Sequence, residues 1–553
     1  MEDRALTGYP SVDRPWLKYY SEEQKNAIPP EPMTIYACLR QMAESYGAKT
    51  AIRFDGMPIS YDELFAQIDR TADALLSAGI GEDDIVLADL PTIPQEIYLL
   101  YACSKIGACI SYALPMSSPQ RLCASANTFS SPILFTCDMP PESRAYIRSH
   151  SCVRQIVNLS ADRSGDGWAA FLDAADRHAA LTRKDSRKPF YICQTGGSTG
   201  RPKAVMISNY AFNHQMFEIL TSSGYLDRHS SWMPLWPLFS VSAAISCCHV
   251  PLCAGMELIL RAYPDLDHFD RLLLEEKPGH VAIIPAFLDQ MLSSPLLRDA
   301  DLSFLKMIGW GGGKCTRELE LSAKAFLTAH GAVPFISCGY GMIENSSCIS
   351  MRTAPETTVA ESVGIPQVWT TVGIFEPGTG NELRYDETGE ICALSENFMS
   401  GYFKADSSHL FRTHADGRIW LHTGDLGRMT EDGILFVQGR MSRSIFTKHG
   451  HKVYPDDLEG LIVSLPGIRD CAIIPQSVPE STEYFDVACC LVLEDGCTPD
   501  QVQPLITQAI TAACSDVVLP GSYHLFSAFP RTAIGKTDYR ALERDVQSRL
   551  AGQ

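Results

Sequence analysis

The strongest chemical signal in the chain is a run of twelve residues, Gln194–Val205, that reads QTGGSTGRPKAV. Closely spaced glycines let the backbone approach a ligand and present its amides, while hydroxyls and a lysine add donors and positive charge. The spacing differs from that of a P-loop, because Arg201 and Pro202 stand where that motif needs glycine and lysine. The run is therefore either a phosphate-binding loop or a polar surface turn, and its candidate residues are Thr195, Gly196, Gly197, Ser198, Thr199, Gly200 and Lys203.

Two shorter motifs offer an aromatic ring and carboxylates. In Gly339–Glu344 (GYGMIE), Tyr340 has a ring that can stack on a base and Glu344 a carboxylate that can hold Mg²⁺ near phosphates. The same segment could equally be an aromatic turn with a surface glutamate. In Thr423–Leu426 (TGDL), Asp425 in a tight turn can accept hydrogen bonds from a ribose diol, although alone this motif would be an ordinary turn.

Two cations complete a set of five motifs. Arg440 follows Gly439, and Lys536 ends the loop Pro530–Lys536, which reads PRTAIGK. In this order along the chain, the five motifs resemble those of the adenylate-forming superfamily. That superfamily includes acyl-CoA synthetases, the adenylation domains of nonribosomal peptide synthetases and firefly luciferase.

The resemblance covers nearly the whole chain and implies a fold. Trp310–Lys314 (WGGGK) is similar to the family's glycine-rich segment beside the acyl and adenine pockets, and Lys448–Pro455 is similar to its loop after the hinge. The implied fold is α/β, with a large N-terminal adenylation domain of layered sheets and helices and a small mobile α+β C-terminal lid domain. We expect these parts at residues 1–439 and 444–553, with a hinge at 440–443.

The resemblance also implies a reaction in two steps. A carboxylate attacks the α-phosphate of ATP to give an acyl-adenylate and pyrophosphate, and a thiol, usually that of CoA, then attacks the acyl carbon. A carboxylate is a poor electrophile, whereas an acyl-adenylate loses AMP readily. The protein would mainly position the reactants and stabilise charge during phosphoryl transfer. The implied cofactors are ATP and Mg²⁺, with CoA as co-substrate.

Each motif receives a role from the resemblance. The first loop would hold the β- and γ-phosphates, and Lys536 would bridge the carboxylate and the α-phosphate. Tyr340 would stack on adenine, and Asp425 and Arg440 would bind the ribose hydroxyls. Glu344 would be catalytic and, with Thr199, would ligate Mg²⁺. The remaining ATP-binding positions would be Gly312, Gly313, Gly339 and Gly341.

Rotation of the small domain would separate the two steps. It would remove Lys536 and bring the loop around Gly450 to the active site for the thiol step. The family commonly has Asp or Lys at the hinge position, which is Ser442 here, and a serine can still turn. Ile343 replaces a usual threonine whose hydroxyl contacts the α-phosphate region. Losing one hydrogen bond to a charged group costs roughly 1.5–3 kcal/mol, so we still expect an active enzyme.

The segment Trp236–Ser242, which reads WPLFSVS, aligns with the region in which members of the family bind their acid substrate. Amino-acid-activating members of the family usually carry Asp at the position of Ser240, and many acyl- and aryl-CoA synthetases carry His there. Without a carboxylate, the buried ammonium of an amino acid would be unpaired, so a fatty or other apolar acid is favoured. The expected acyl pocket consists of Trp236, Phe239, Ser240 and Gly311.

The thiol acceptor has more than one candidate. No carrier-protein domain follows Lys536, so a free-standing CoA ligase is the leading hypothesis. A second hypothesis is a ligase that loads a separate acyl carrier protein. A third is a non-catalytic protein that binds a nucleotide or acyl-adenylate, suggested by Ile343 and Ser240 but opposed by the retained Lys536, Glu344 and Asp425.

The elements that must position these residues are visible as alternating patterns. Helical spacing at Leu64–Leu76 and Ile97–Ile106 alternates with apolar strand-like runs at Asp84–Leu90 and Cys109–Leu114, which is typical of parallel α/β layers. After Gly439 the pattern predicts a separate unit. Its predicted elements are a helix at Pro455–Leu465, strands at Cys471–Ile474, Val487–Leu493 and Tyr523–Phe529, a helix from Thr498–Asp500 and a terminal helix.

Composition further restricts the binding partners and the cellular compartment that we expect for this protein. The 553 residues are 45% hydrophobic and 20% charged, and the net charge of −19 opposes binding to nucleic acid through a basic surface. The 19 cysteines include no CxxC pair, so buried free thiols in a reducing compartment are expected rather than disulfides or zinc sites. Because no signal peptide and no apolar run of membrane-spanning length is visible, we expect a cytoplasmic protein with no membrane span.

Overall fold

The computed structural model describes residues 6–113, 117–160, 167–179, 185–194, 203–311, 317–443, 445–446, 452–453, 455–478, 481–513, 519–531 and 537–551. Helices and strands alternate along much of these ranges, as the sequence predicts. The α-helices are α1 Pro10–Asp13, α2 Glu22–Lys25, α3 Ile35–Met42, α4 Tyr61–Ser77, α5 Pro94–Ile106, α6 Pro119–Phe129, α7 Pro141–His150, α8 Gly167–Asp173, α9 Asn209–Ser222, α10 Val250–Cys253, α11 Phe269–Glu276, α12 Pro285–Ser293, α13 Arg317–Ala329, α14 Pro455–Val463, α15 Pro499–Ala513 and α16 Tyr539–Ala551.

The strands supply the framework on which the site residues lie. They are β1 Thr50–Phe54, β2 Met57–Ser60, β3 Ile85–Asp89, β4 Cys109–Tyr112, β5 Ile133–Cys137, β6 Gln155–Leu159, β7 Pro189–Gln194, β8 Ala204–Ser208, β9 Ser231–Pro234, β10 Glu257–Leu260, β11 His280–Ile283, β12 Met307–Trp310, β13 Ile336–Tyr340, β14 Ser350–Met351, β15 Ile365–Pro366, β16 Thr371–Phe375, β17 Gly389–Leu394, β18 Gly401–Tyr402, β19 Phe411–Thr413, β20 Ile419–Met429, β21 Leu435–Arg440, β22 Ile445–Phe446, β23 Lys452–Val453, β24 Ile468–Val478, β25 Ser481–Leu493 and β26 Ser522–Leu525.

Short turns of other helix types link these elements. Ala243–His249 is a π-helix that leads into α10. The 3₁₀ turns are Pro15–Tyr19, Leu266–His268, Ile343–Asn345, Pro355–Thr357, Ser408–Leu410 and Met441–Arg443.

Two large sheets confirm the predicted parallel layers. The first has the strand order β15-β14-β13-β12-β11-β9-β10-β1-β2 and is parallel from β13 to β1. The second has the order β18-β8-β7-β4-β3-β5-β6 and is parallel from β7 to β6. Antiparallel strands close the edges of both sheets, namely β2, β14 and β15 in the first and β8 and β18 in the second.

Local sequence accounts for the helix ends in these layers. Ser60 caps α4: its hydroxyl oxygen accepts from the backbone N–H of Glu63 at 3.2 Å, and the Glu63 carboxylate accepts from the backbone N–H of Ser60 at 2.7 Å. Helix α5 begins with Pro94 and ends at Gly107, whose φ is +82°. The predicted helix Leu64–Leu76 is therefore correct and extends by a residue or more at each end.

A third sheet is antiparallel throughout, and the sequence did not predict it. Its order is β16-β17-β20-β19, with β21 paired to the second half of β20. Asp425 lies within β20, so its predicted placement in a tight turn is wrong. The turn-forming residues Thr423 and Gly424 instead lie where the ladder between β17 and β20 is irregular.

The C-terminal residues form the predicted set of helices and strands. The sheet β24-β25-β26 is flanked by α14, α15 and α16, and its two sides form separate hydrophobic clusters. Strands β24 and β25 are longer than predicted, and β26 ends at Leu525 rather than Phe529. The longer strands form one hairpin that pairs almost along its full length, a nonlocal contact that single-strand patterns do not reveal.

Hydrophobic side chains fill the space between the two parallel sheets. One continuous cluster joins α3, α4, α5 and α9 to strands of both sheets. Every described cysteine is a free thiol, and most are buried, as predicted. Among the described residues, we find no helix with both the length and the apolar character needed to cross a bilayer.

A buried ion pair connects α13 to the segment after β14. The guanidinium of Arg352, 1% exposed, donates to both carboxylate oxygens of Glu320 at 2.9 and 3.2 Å. Lys324 donates to the same carboxylate at 2.6 Å, and Arg352 also donates to the carbonyls of Val359 and Ser362 at 2.9 and 2.8 Å. Such a complete set of partners is what makes a buried charge tolerable.

We therefore expect Glu320→Ala to destabilise the protein by about 3–5 kcal/mol, because Arg352 would remain buried without its counter-ion. Chemical denaturation followed by intrinsic fluorescence measures this loss. Glu318→Ala is the matched control, because Glu318 is exposed on the same helix, and it should shift stability by less than about 0.5 kcal/mol. Equal effects of the two substitutions would contradict the importance given to the buried pair.

Candidate active site

Two predicted nucleotide-binding residues, Tyr340 and Arg440, both contact the carboxylate of Asp425. The Tyr340 hydroxyl at the end of β13 donates to Asp425 Oδ2 at 2.7 Å. Arg440 Nε at the end of β21 donates to Asp425 Oδ1 at 2.7 Å, and the β20–β21 ladder places these two residues opposite each other. Asp425 is only 4% exposed, while Arg440 is exposed. The structure thus brings together three residues that lie far apart in sequence.

The protonation state of Tyr340 follows from its surroundings. Burial, and then the negative charge of Asp425, raises the pKa of Tyr340 well above its ordinary value. The phenol therefore stays protonated and remains a hydrogen-bond donor. An ionised carboxylate has about four lone-pair directions, and the bonds from Tyr340 and Arg440 use one on each oxygen of Asp425.

Glu344 and Lys203 share one aromatic neighbour, Tyr402. The Tyr402 hydroxyl donates to Glu344 Oε1 at 2.7 Å, and Lys203 Nζ lies 4.4 Å from the centre of the Tyr402 ring. Burial, and then Glu344, raises the pKa of Tyr402, so its hydroxyl also remains a donor. A cation over the face of a tyrosine ring is attracted by the ring's quadrupole. Tyr402 thus contacts both Glu344, the predicted Mg²⁺ ligand, and Lys203, a predicted residue of the phosphate-binding loop.

The segment between Tyr340 and Ser347 is unusually tight. A Cβ at Gly341 would lie 1.8 Å from the carbonyl oxygen of Ser347, so only glycine fits there. Ser346 and Ser347 have φ values of +60° and +142°, which non-glycine residues rarely adopt. The Ser346 hydroxyl donates to the carbonyl of Asn397 at 2.6 Å and helps to hold this conformation. The turn fixes the position of Glu344, which lies in the 3₁₀ turn Ile343–Asn345.

Two of the predicted acyl residues, Trp236 and Gly311, contact each other directly after β12. The ring of Trp236 packs over Gly311 so closely that a Cβ there would lie 2.6 Å from Trp236 Cη2. The carbonyl of Phe239 accepts a hydrogen bond from the Cys193 thiol at 3.5 Å, which ties this segment to the end of β7. Ser240 lies in a turn whose backbone leads into the π-helix Ala243–His249.

A family model described as AMP-binding enzyme matches residues 39–403 of the chain. The chain belongs to the AMP-binding enzyme family. This confirms the resemblance to the adenylate-forming superfamily, and the protein is an enzyme of the acid–thiol ligase class that the family comprises.

Relatives of this AMP-binding enzyme agree with that assignment. It is 25% identical over 451 residues to 4-coumarate–CoA ligase 3 of Oryza sativa subsp. japonica, covering 79% of each chain. It is 26% identical over 499 residues to indoleacetate–CoA ligase of Aromatoleum aromaticum, covering 88% of this chain and 93% of the relative. The ATP-bound structure of MatB from Rhodopseudomonas palustris superposes with a TM-score of 0.81 at 22% identity, covering 93% of this chain and 99% of that one, which confirms the fold.

Several predicted site residues of the AMP-binding enzyme lie outside the described residues. They are Thr195, Gly196, Gly197, Ser198, Thr199, Gly200, Gly312, Gly313, Gly450 and Lys536. Ser442 lies in the 3₁₀ turn Met441–Arg443, but its side chain is not among those described. The roles of these residues therefore stay predictions.

Sequence reasoning missed Tyr402, Glu390 and His422. Tyr402 follows Gly401 in a short edge strand, and nothing in its local pattern signals a contact with Glu344. Glu390 and His422 lie on neighbouring strands of the unpredicted antiparallel sheet. The position of His422, directly before Thr423-Gly424-Asp425, is the one signal that could have drawn attention to it.

We expect Gly341→Ala to weaken both folding and ATP use, because the added Cβ would collide with backbone atoms of Ser347 and Cys348 rather than with a flexible side chain. Overpacking of this kind costs about 1–3 kcal/mol. The matched control is Gly380→Ala, where a Cβ would meet nothing within 4 Å. Thermal unfolding and the KM for ATP measure the difference, and a neutral Gly341→Ala would contradict the tight turn.

Proposed function

We propose that this enzyme uses ATP to convert an apolar carboxylic acid, fatty or aromatic, into an acyl-adenylate and then transfers the acyl group to CoA. In the first step a carboxylate oxygen forms a bond to the α-phosphorus while the bond to the β-phosphate oxygen breaks, releasing pyrophosphate. In the second step the CoA sulfur forms a bond to the acyl carbon and AMP leaves. The observation that carries the proposal is the convergence of Tyr340 and Arg440 on Asp425. Tyr340 also lies in the same short segment, Gly339–Glu344, as Glu344.

The nucleotide end of the proposed site is the Asp425 cluster. Tyr340 offers a ring for adenine, and its hydroxyl bond to Asp425 fixes the orientation of that ring. The Asp425 carboxylate would accept from the ribose hydroxyls, with Arg440 as a second ribose contact. Gly339 and Gly341 keep side chains away from the nucleotide, and for Gly341 the close approach to Ser347 explains why no Cβ is possible.

The phosphate end combines Lys203, Glu344 and the loop Thr195–Gly200. The Glu344 carboxylate fits Mg²⁺, because it is a hard oxygen ligand with a second oxygen beside the one bonded to Tyr402. Thr199 would be the other protein ligand, and Mg²⁺, when bound, would offset charge on the phosphates. Lys203 would add positive charge near the same phosphates, and Tyr402 would hold it and Glu344 in place.

The acid end is formed by Trp236, Phe239, Ser240 and Gly311. These residues offer apolar and aromatic surface and no carboxylate to pair with an ammonium, which supports an apolar acid over an amino acid. The flat Trp236 ring against Gly311 suits a flat or extended acyl group. The names of the relatives, 4-coumarate– and indoleacetate–CoA ligases, support including aromatic acids in the class.

Lys536 would supply the charge that stabilises adenylate formation, and a rotation would then exchange it for the loop around Gly450. We propose residues 1–439 and 444–553 as the two moving parts and 440–443, including Ser442, as the hinge between them. The ion pair of Arg443 with Glu459 at 2.7 Å supports a pivot here, because it anchors Arg443 to α14 only three residues after Arg440. Free thiols at every described cysteine support a cytoplasmic location.

The first test is ATP–pyrophosphate exchange over a panel of fatty, aromatic and amino acids. We expect exchange with apolar acids and little with α-amino acids, because the proposed pocket residues Trp236, Phe239, Ser240 and Gly311 include no carboxylate to pair with an ammonium. Supplying CoA or a phosphopantetheinylated carrier protein to active acids then identifies the acceptor, with CoA expected. Exchange with no acid of any class would instead favour a non-catalytic nucleotide-binding protein.

The same acid panel can test the place of Trp236 by comparing two glycine substitutions, one in β12 and one at the residue directly after it. Gly311→Ala should displace Trp236 and change the KM for the acid without changing that for ATP. Gly309→Ala should leave both unchanged, since a Cβ there would make only ordinary contacts, the nearest at 3.6 Å from Met307. Identical behaviour of the two variants would contradict the place given to Trp236.

The role of Lys536 is tested by separating the half-reactions. We expect Lys536→Ala to lower the rate of adenylate formation by about a hundredfold or more, because the positive charge proposed to bridge the carboxylate and the α-phosphate is lost. Thioester formation from a preformed acyl-adenylate should be nearly unchanged. Arg531→Ala is the control and should leave both half-reactions nearly unchanged. Arg531 lies near the start of the same loop, Pro530–Lys536, is half-exposed and pairs with Asp470. Equal loss of both half-reactions in Lys536→Ala would contradict the role.

A further inference from the structure

Glu390 is a buried carboxylate whose two oxygens have different partners. It lies in β17 and is 4% exposed. Its Oε1 accepts from the backbone N–H of Gly424 at 3.1 Å, and its Oε2 accepts from His422 Nδ1 at 2.8 Å. Both partners belong to β20, directly before Asp425. One side chain therefore fixes two successive parts of the strand that carries the proposed ribose-binding residue.

The backbone of β20 needs such support because its ladder with β17 is interrupted. Cys392 pairs with His422 and Glu390 pairs with Leu426, so Ile391 alone faces Thr423, Gly424 and Asp425. Residues in a bulge lose regular ladder hydrogen bonds. The Glu390 carboxylate supplies an acceptor for the Gly424 N–H, and the carbonyl of Ile391 accepts from the Thr423 hydroxyl at 2.7 Å.

The bulge also fixes the direction of Asp425. The backbone N–H of Asp425 donates to the Thr423 hydroxyl oxygen at 3.1 Å. Gly424 has a φ of +71°, although a Cβ there would meet nothing within 4 Å. Its backbone conformation, rather than a lack of space, is therefore what turns the chain here. The N–H bonded to Glu390 is the one at this turning point.

His422 keeps the Glu390 carboxylate in place. Its Nδ1 donates to Glu390, which leaves Nε2 to accept from His414 Nε2 at 2.9 Å. His414 in turn packs against the rings of Phe375 and Trp420. Chains of hydrogen bonds of this kind orient a buried carboxylate, as the partners of ligating residues do in other sites.

We propose that Glu390 is a positioning residue for the nucleotide: by holding the Gly424 N–H it sets the direction in which Asp425 meets the ribose hydroxyls. The proposal rests on the ribose role given to Asp425 in the proposed function. Glu390 itself touches no substrate. It acts through the bulge, with His422 and His414 holding it from behind.

The test is calorimetric binding of ATP, 2′-deoxyATP and 3′-deoxyATP to Glu390→Ala and to the parent protein. We expect the variant to lose about tenfold or more in affinity for ATP, the effect of one hydrogen bond to a charged group. The affinity of the variant should fall much less for the deoxy analogue that lacks the hydroxyl bound by Asp425. A purely structural role would weaken all three ligands equally and would overturn the proposal.

Two further variants separate positioning from loss of folding. Glu390→Gln keeps an acceptor oxygen for the Gly424 N–H. In its other tautomer, His422 can accept a hydrogen bond from the new NH₂ group at Nδ1. The affinity of this variant for ATP should therefore remain within about threefold of the parent. Glu390→Asp retains the charge but is one methylene shorter and cannot reach both partners. It should repeat the hydroxyl-dependent loss even where Glu390→Ala is too unstable to purify. A Glu390→Gln variant as impaired as Glu390→Ala would overturn the hydrogen-bond role.

Controls distinguish this proposal from the proposed function. Glu382→Ala removes another largely buried carboxylate, bonded to Ser11 at 2.7 and 2.8 Å, and should lower the melting temperature without changing the ATP preference. Binding needs no acid, so a parent protein that binds ATP but activates no acid would refute the catalytic function and leave this test intact. A parent protein that binds ATP and both deoxy analogues equally would overturn the positioning role. Stoichiometric zinc in the purified protein would also overturn it, because Glu390, Cys392 and His422 could then be metal ligands.

Discussion

The carboxylate of Asp425 joins the ends of strands that belong to two different sheets. It receives the hydroxyl of Tyr340 from the end of a strand in the nine-stranded sheet and the guanidinium of Arg440 from the end of the antiparallel sheet. Buried charged groups are costly unless fully paired, so these bonds constrain both strand ends together. The constraint acts directly before the turn that carries Glu344 and directly before the 3₁₀ turn Met441–Arg443.

Part of the fold could be predicted because its signals are local. The helix at Leu64–Leu76 follows from apolar spacing, and the capping pair Ser60 and Glu63 fixes where it begins. Parallel strands such as Cys109–Tyr112 read as short apolar runs because both faces are buried. The order of the five motifs was enough to recognise the family, although none of them alone identified a site.

The rest could not be predicted because it depends on which strands become neighbours. The turn-forming residues Thr423 and Gly424 predict a turn at Asp425, yet the pairing with β17 and β21 keeps Asp425 inside a strand. Tyr402 reaches Glu344 across 58 residues of sequence. No periodicity carries that information, because such contacts are chosen by the register of whole sheets.

The number of extra residues in the bulge at Thr423–Asp425 decides which face of the sheet the later side chains of β20 occupy. The ladder pairs Leu421 with Ala393 before the bulge and Gly427 with Gly389 after it, so β20 contains two more residues than its partner. Two is an even number, and side chains in a strand alternate between faces. Trp420 and Met429, which occupy different hydrophobic clusters, therefore keep opposite faces as though the strand were unbroken. Removing one residue here would exchange the two faces of everything that follows, so the length of this segment is as constrained as its chemistry.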